Sequence, residues 1–141
     1  MTIEKRPPAR LVELTEDEAL ELLSSVSLGR VVFSHQALPA IRPVNHIVED
    51  GQVVILAHSG AAILGPAAHH AVVAYEADEL DPREGTGWSV IVTGTASAVC
   101  DPAEVARFQG ALEPWINAEM EHVIRINQDI VTGYRLVRDA S

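Results

Sequence analysis

The chain has one cysteine, Cys100, and one lysine, Lys5, among its 141 residues. A lone thiol makes no internal disulfide, and no CxxC pair supplies a zinc ligand set. Aromatic side chains are scarce, limited to Phe33, Tyr75, Trp88, Phe108, Trp115 and Tyr134. The core must therefore be mainly Val, Leu, Ile and Ala, which suits close-packed strands. Positive charge is thin: ten basic against twenty acidic side chains give a formal charge of −10. That field repels phosphate backbones and anionic lipid, so neither nucleic acid nor membrane is an expected partner. No apolar stretch approaches the ~18 residues of a membrane span. Met1 to Arg10 holds charges and two prolines where a signal peptide needs an apolar run, so a reducing, cytoplasmic home is expected.

Catalytic and metal signatures are missing too. There is no P-loop, dinucleotide fingerprint or Ser-His-Asp pattern, and Ser89 sits in Gly87-Trp88-Ser89-Val90-Ile91, which is no nucleophile elbow. His35, His46, His58, His69, His70 and His122 lack HExxH or comparable spacing, so no metal site is expected. Glu76, Asp78, Glu79, Asp81 and Glu84 read as a solvated loop.

What is present is a β-rich pattern. With 48% hydrophobic residues the chain can bury a substantial core, and its length suits one domain, taken as residues 11–137 behind a flexible arm at 1–10. Thr15-Glu16-Asp17-Glu18 is a capping box, and Ala19, Leu22, Leu23 and Val26 repeat at helical spacing up to Gly29. Strands follow at 31–33, 40–48 and 53–57, with a turn at Gln36 to Pro39 and the hairpin dipeptide Asp50-Gly51. Pro43 lacks a donor, which implies an edge or a bulge. A short helix around Ala61 to Leu64, a strand from Ala71 to Glu76 and a loop from Asp78 to Gly87 come next. Trp88 to Val99 is the longest β-like run, and Gly94 within it suggests a bend. Asp101-Pro102-Ala103-Glu104 opens a helix that Pro114 ends, before closing strands at 123–126 and 131–136. About six strands joined by hairpins predict an antiparallel barrel, mainly β with short helices (α+β).

Leu28-Gly29-Arg30-Val31, Ile41-Arg42-Pro43-Val44-Asn45, Gly87-Trp88-Ser89-Val90-Ile91-Val92-Thr93-Gly94 and His122-Val123-Ile124-Arg125-Ile126 occur in an order that resembles the pyridoxamine 5′-phosphate oxidase-like proteins of the FMN-binding split-barrel superfamily. The resemblance covers roughly residues 11–137. It implies a six-stranded split barrel, a homodimer with cofactor grooves between subunits, and a flavin-dependent oxidoreductase acting on a small organic molecule. It also assigns cofactor contacts. Arg42 is similar to the family's phosphate-binding arginine, Pro43, Val44 and Asn45 fall where the strand meets the flavin ring, His58 and Ser59 fall near the phosphate, and Trp88 and Ser89 fall near the ring or ribityl tail. No catalytic side chain is identified, since a flavin carries its own electron chemistry.

One departure bears on cofactor choice. Where such proteins carry a phosphate-pairing lysine, this chain has Gly60-Ala61-Ala62-Ile63-Leu64. A lost charge-assisted hydrogen bond costs roughly 1.5–3 kcal/mol, about one to two decades of affinity. His58 is expected to substitute in part when protonated. FMN is the expected cofactor, with the deazaflavin F420 as the alternative. A third reading is a non-catalytic or cofactor-degenerate dimer that holds a flavin or haem, or no cofactor at all, because the lysine is absent near Ala62.

Overall fold

The computed structural model describes residues 7–112 and 119–138. Its elements run β1 (Arg10–Glu13), α1 (Glu16–Ser24), β2 (Leu28–His35), β3 (Leu38–Glu49), β4 (Gln52–Ala57), α2 (Leu64–Ala68), β5 (Val72–Asp81), β6 (Thr86–Ala98), α3 (Pro102–Ala111), β7 (His122–Ile126) and β8 (Ile130–Val137). Every strand pairing is antiparallel. Six strands, in the order β6-β5-β2-β3-β4-β7, close on themselves through a β6–β7 pairing, and β8 and then β1 add outside β6. The expected split barrel is this closed ring. No helix among the described residues is long and apolar enough to cross a membrane.

Local chemistry explains two helix starts and one hairpin turn. Thr15 Oγ1 accepts from the Glu18 amide at 3.2 Å while Glu18 Oε1 accepts from the Thr15 amide at 3.0 Å, completing the capping box of α1. Asp101 accepts from the Glu104 amide at 3.2 Å, and Pro102 opens α3 where no N–H is needed. Asp50 (φ 53°) and Gly51 (φ 78°) both adopt the left-handed conformation of a two-residue hairpin turn between β3 and β4.

Three differences from the sequence-based boundaries bear on the architecture. Arg10 belongs to β1, so the expected arm ends in a strand that pairs with β8; residues 1–6 lie outside the described part. α2 starts at Leu64 rather than Ala61, because 61–63 form turns before the chain settles into helix, with Pro66 tolerated in its first turn. Asp78 to Asp81 is not loop: β5 pairs β6 all the way to Asp81↔Thr86, leaving only 82–85 as the connection. The acidic residues there extend the free edge of a sheet that continues through β6 and β8 to β1, and the ladder to β6 satisfies their backbone while Glu79, Leu80 and Asp81 stay exposed. The expected role of Pro114 and the position of Trp115 fall outside the described residues.

Alternation decides what is inside. Val53, Ile55 and Ala57 of β4 point into the barrel with Val31, Tyr75, Val90, Val92 and Ile126, while Val54 and Leu56 pack outward against Phe108 and Leu112 at α3. α1 plugs the barrel with Ala19 and Leu23. Two strands change partners midway. β6 pairs β8 up to Thr93 and β7 from Ala96, with Gly94 between them. A Cβ on Gly94 would lie 1.8 Å from the Asn127 carbonyl oxygen, so only glycine allows the crossing. β3 pairs β2 from Leu38 to Asn45 and β4 from His46 to Glu49. The segment 38–45 therefore has one strand neighbour, which is the edge position that Pro43 requires.

Candidate functional site

Where β3 leaves β4, the barrel wall opens into a cavity of about 650 Å³. Such a volume suits a cofactor-sized ligand, for which sites span roughly 300–1,000 Å³. One wall is Arg42, Pro43, Val44 and Asn45 of β3, and the facing wall is Ile55, Leu56 and Ala57 of β4. His58 and residues 60–63 close one end. The lining is mostly apolar, as a flat aromatic ring needs.

The His46 amide donates to the Ser27 carbonyl at 2.9 Å, which fixes the phase of the β2–β3 ladder. Residues 44 and 42 then bond toward β2, and the nitrogen of Pro43 faces the opposite side, where β4 has departed. The proline thus places no unmet donor on the cavity wall. Arg42 is exposed at the mouth, its Nη1 donating to the Ile41 carbonyl at 2.9 Å and its guanidinium carbon 5.9 Å from the centre of the Phe33 ring. Among the described residues that line the cavity it is the only Arg or Lys. His58 joins the lining with Nδ1 at 2.9 Å from the Ser59 carbonyl, which it can only approach as a donor.

Five expected contact residues, Arg42, Pro43, Val44, Asn45 and His58, are thus gathered around one cavity. The other three are not. Ser59 lies at the rim with its hydroxyl donating to Glu121 Oε2 at 2.8 Å and 3.3 Å from His122 Nε2. That hydrogen bond holds the Glu121 carboxyl below the usual carboxylate range. The grouping is not a hydrolytic triad, because the acid engages the serine instead of orienting the histidine. Trp88 is buried against the core and lines a separate depression with Leu22, Leu80 and Arg135. Ser89, one residue on, pairs with Asp78 and Tyr134 across the sheet.

The sequence reading missed several wall residues. Val31 and Ile55 read as ordinary strand positions, Leu28 falls before the expected strand, and Met120 reaches the cavity from a distant segment. It also missed a buried polar chain behind β3. His46 is 2% exposed, with Nε2 at 2.8 Å from the Leu23 carbonyl and Nδ1 at 2.5 Å from the Tyr75 hydroxyl. Tyr75 in turn reaches the Val44 carbonyl at 2.9 Å. Burial lowers the proton affinity of His46 and raises the pKa of the Tyr75 phenol, although the carbonyl at Leu23 works the other way on His46. Gly29 makes this approach feasible, since a Cβ there would lie 2.5 Å from the Tyr75 hydroxyl. Among the described residues, no group of three or more His, Cys, Asp or Glu side chains could hold a metal ion.

A site of this kind fits a flavin in shape and polarity, with a shortfall of positive charge. Comparison with known proteins bears on the same point. The family model for pyridoxamine 5′-phosphate oxidase matches residues 15–137. The uncharacterized protein Rv0080 of Mycobacterium tuberculosis is 54% identical over 134 residues, which cover 92% of this chain and 88% of that protein. A crystal structure from Corynebacterium glutamicum that bears the pyridoxamine 5′-phosphate oxidase name is 35% identical, with a TM-score of 0.75 over 97% of this chain and 100% of that one. The FAD binding protein of Mycobacterium smegmatis is 33% identical, with a TM-score of 0.72 over 88% of this chain and 97% of that one. A split barrel open between β3 and β4, a family match across most of the chain and these identities lead to one conclusion: this chain belongs to the pyridoxamine 5′-phosphate oxidase family.

Proposed function

We propose that this chain is a flavin-dependent oxidoreductase that holds FMN in the cavity between β3 and β4 and acts on a small organic molecule beside it. The observation that carries the reading is the meeting of Arg42, Pro43, Val44, Asn45 and His58 around a mostly apolar space of cofactor size. Arg42 would face the phosphate, where a guanidinium matches two oxygens at once. Val44, Ile55 and Ala57 would supply the ledge for the ring, and Asn45 its polar edge. When bound, the flavin supplies the electron transfer; the protein orients it and keeps water from its apolar face. Ser59 can join the phosphate site only by giving up Glu121.

The outer face of the sheet supports the expected homodimer. Across β3, β2, β5, β6 and β8 the register aligns Ile41, Val32, Ala74, Thr93 and Ile130, and Ile91 lies beside this row. Ile41 is 58% and Ile130 60% exposed. An exposed, mostly apolar row of this kind suits burial by a second copy. Ser89, on the same face as Ile91, enters the proposed site only across such a subunit boundary, whereas Trp88 points into the core.

A second reading takes FAD in place of FMN, favoured by the FAD binding relative at 33% identity. Parallel titrations with FMN, FAD and F420, followed by flavin fluorescence and paired with a mass measurement of the oligomer, test the reading. Quenching by FMN supports it, tighter FAD binding selects the second reading, and no quenching by any of the three leaves a cofactor-free barrel. A bound flavin that no reductant bleaches, or that no electron acceptor recolours, makes the protein a carrier instead of an enzyme.

A further inference from the structure

The chain of contacts behind β3 contains a proton-counting problem. Three contacts lie in series: Leu23 carbonyl to His46 Nε2 at 2.8 Å, His46 Nδ1 to the Tyr75 oxygen at 2.5 Å, and the Tyr75 oxygen to the Val44 carbonyl at 2.9 Å. Both ends are carbonyl acceptors, so filling all three contacts takes three protons. A neutral imidazole and a phenol bring two. With the ring proton on Nε2, as the Leu23 carbonyl requires, the phenol has one hydrogen for two acceptors, Nδ1 and Val44. With the ring proton on Nδ1, two lone pairs face each other at Leu23. An imidazolium supplies the third proton, and then each contact has its donor.

Val44 is not a passive terminus, because it and Asn45 line the cavity. Their shared peptide is trans, so the Asn45 N–H points opposite to the Val44 carbonyl, toward the side of β3 on which β4 and the cavity lie. A hydrogen bond received by the carbonyl polarises the whole amide and makes its N–H a stronger donor. We propose that His46 and Tyr75 form a proton-operated pair behind the cavity wall, in which a proton gained by His46 turns the Tyr75 hydroxyl from Nδ1 to the Val44 carbonyl and strengthens the Asn45 N–H on the cavity side. A ligand that presents a hydrogen-bond acceptor to that stretch of β3 then binds more tightly when His46 is charged. By linkage it raises the proton affinity of His46 in return.

The surroundings permit such a titration. Arg30 of β2 is tied to Glu76 and Asp78 of β5 at 3.0 and 3.5 Å, which leaves one negative charge in excess beside the depression that His46 floors. On β3 itself the next charged side chain, Glu49, is held by Arg107 at 2.6 Å. β4 sets Ile55 opposite His46, and the carboxylates Glu16, Asp17, Glu18 and Glu21 of α1 are exposed. Burial opposes the charge, so the titration belongs on the acid side of the ordinary histidine range near ~6.5.

The hydroxyl relay can be tested on the ligand-free protein. In ¹⁵N-labelled protein, the His46 ring nitrogens and the Asn45 backbone amide are followed against pH for wild type, Tyr75→Phe and His46→Gln. The expected result is a downfield movement of the Asn45 amide in step with His46 in wild type. In Tyr75→Phe, His46 still titrates and Asn45 does not follow; in His46→Gln, the Asn45 profile is flat. An Asn45 amide that stays still while His46 titrates overturns the proposal. So does one that follows equally in Tyr75→Phe, or a His46 ring that stays neutral until the protein unfolds. The linkage to a ligand rests on the flavin reading of the cavity and is tested by adding FMN or FAD to the same samples. Each unit by which flavin raises the His46 midpoint appears as up to about tenfold tighter binding at low pH. Flavin that binds without moving His46 overturns the linkage and leaves the flavin reading intact. Absence of binding overturns the flavin reading, while the amide titration still decides the relay.

Discussion

Replacing Gly94 by alanine puts the closure of the barrel to a direct test. The added methyl would sit 1.8 Å from the Asn127 carbonyl oxygen and 2.7 Å from its carbon, where a relaxed carbon–oxygen contact needs about 3.3 Å. One side must therefore move by about 1.5 Å. Asn127 is poorly able to yield: its amide donates to the Thr95 carbonyl at 3.0 Å, its side chain donates to Thr95 Oγ1 at 2.8 Å, and it accepts from Gln52 Nε2 at 2.6 Å. Overpacking typically costs about 1–3 kcal/mol, and a disrupted hydrogen bond adds about 1 kcal/mol. A total of about 2–4 kcal/mol follows, which at about 4 °C per kcal/mol lowers the melting temperature by about 8–16 °C. Gly110→Ala is the matched control, because a Cβ there meets nothing within 4 Å and the site lies in α3. Alanine is the better helix former by about 0.5–1 kcal/mol, so that variant melts about 2–4 °C higher. Thermal unfolding followed by far-ultraviolet circular dichroism reads both. Equal melting temperatures for Gly94→Ala and wild type would refute the account of why β6 can change partners.

Other outcomes follow from the same structure. Ala62→Lys restores an ammonium at the cavity wall and should tighten FMN binding by about 10- to 100-fold in a fluorescence titration, a charge-assisted bond being worth about 1.5–3 kcal/mol. Arg42→Gln should weaken FMN by a similar factor, and an unchanged affinity would remove Arg42 from the site. Folding stability should depend on His46. Its folded-state pKa lies below the unfolded value, so its contribution is complete above about pH 6.5 and is lost as pH falls through the folded value. Urea unfolding of wild type across that window should steepen toward acid by up to about 1.4 kcal/mol per pH unit relative to His46→Gln. Ile91→Lys places a charge beside the exposed row on the outer sheet and should shift the proposed dimer toward monomer in sedimentation, with the barrel still folded.

Much of the framework was legible because its signals are short-range. The capping box at Thr15, the proline start at Pro102 and the Asp50-Gly51 turn each act over two to four residues, and the folded chain uses all three as written. The unbroken apolar run Val53 to Ala57 after that turn likewise foretold a strand, though not which element would cover Val54 and Leu56, since α3 arrives from elsewhere in the chain to do so. The boundary errors have a common cause. Glu79, Leu80 and Asp81 look like loop because they are solvated, yet their backbone is satisfied by β6, a partner that no local pattern names.

The sequence by itself determined the β-rich class, the helix caps, the hairpin turn and the lack of a lysine around Ala62, and its family resemblance pointed to the stretch Arg42 to Asn45 as the expected ligand contact. Only the tertiary structure decided that β3 and β6 change neighbours midway, that a cavity opens where β3 and β4 part, that Met120 joins its wall and that His46 meets Tyr75 behind it. The reason is distance along the chain. A cap or turn is settled by neighbours a few bonds away, whereas a cavity exists only once strands dozens of residues apart have chosen their partners.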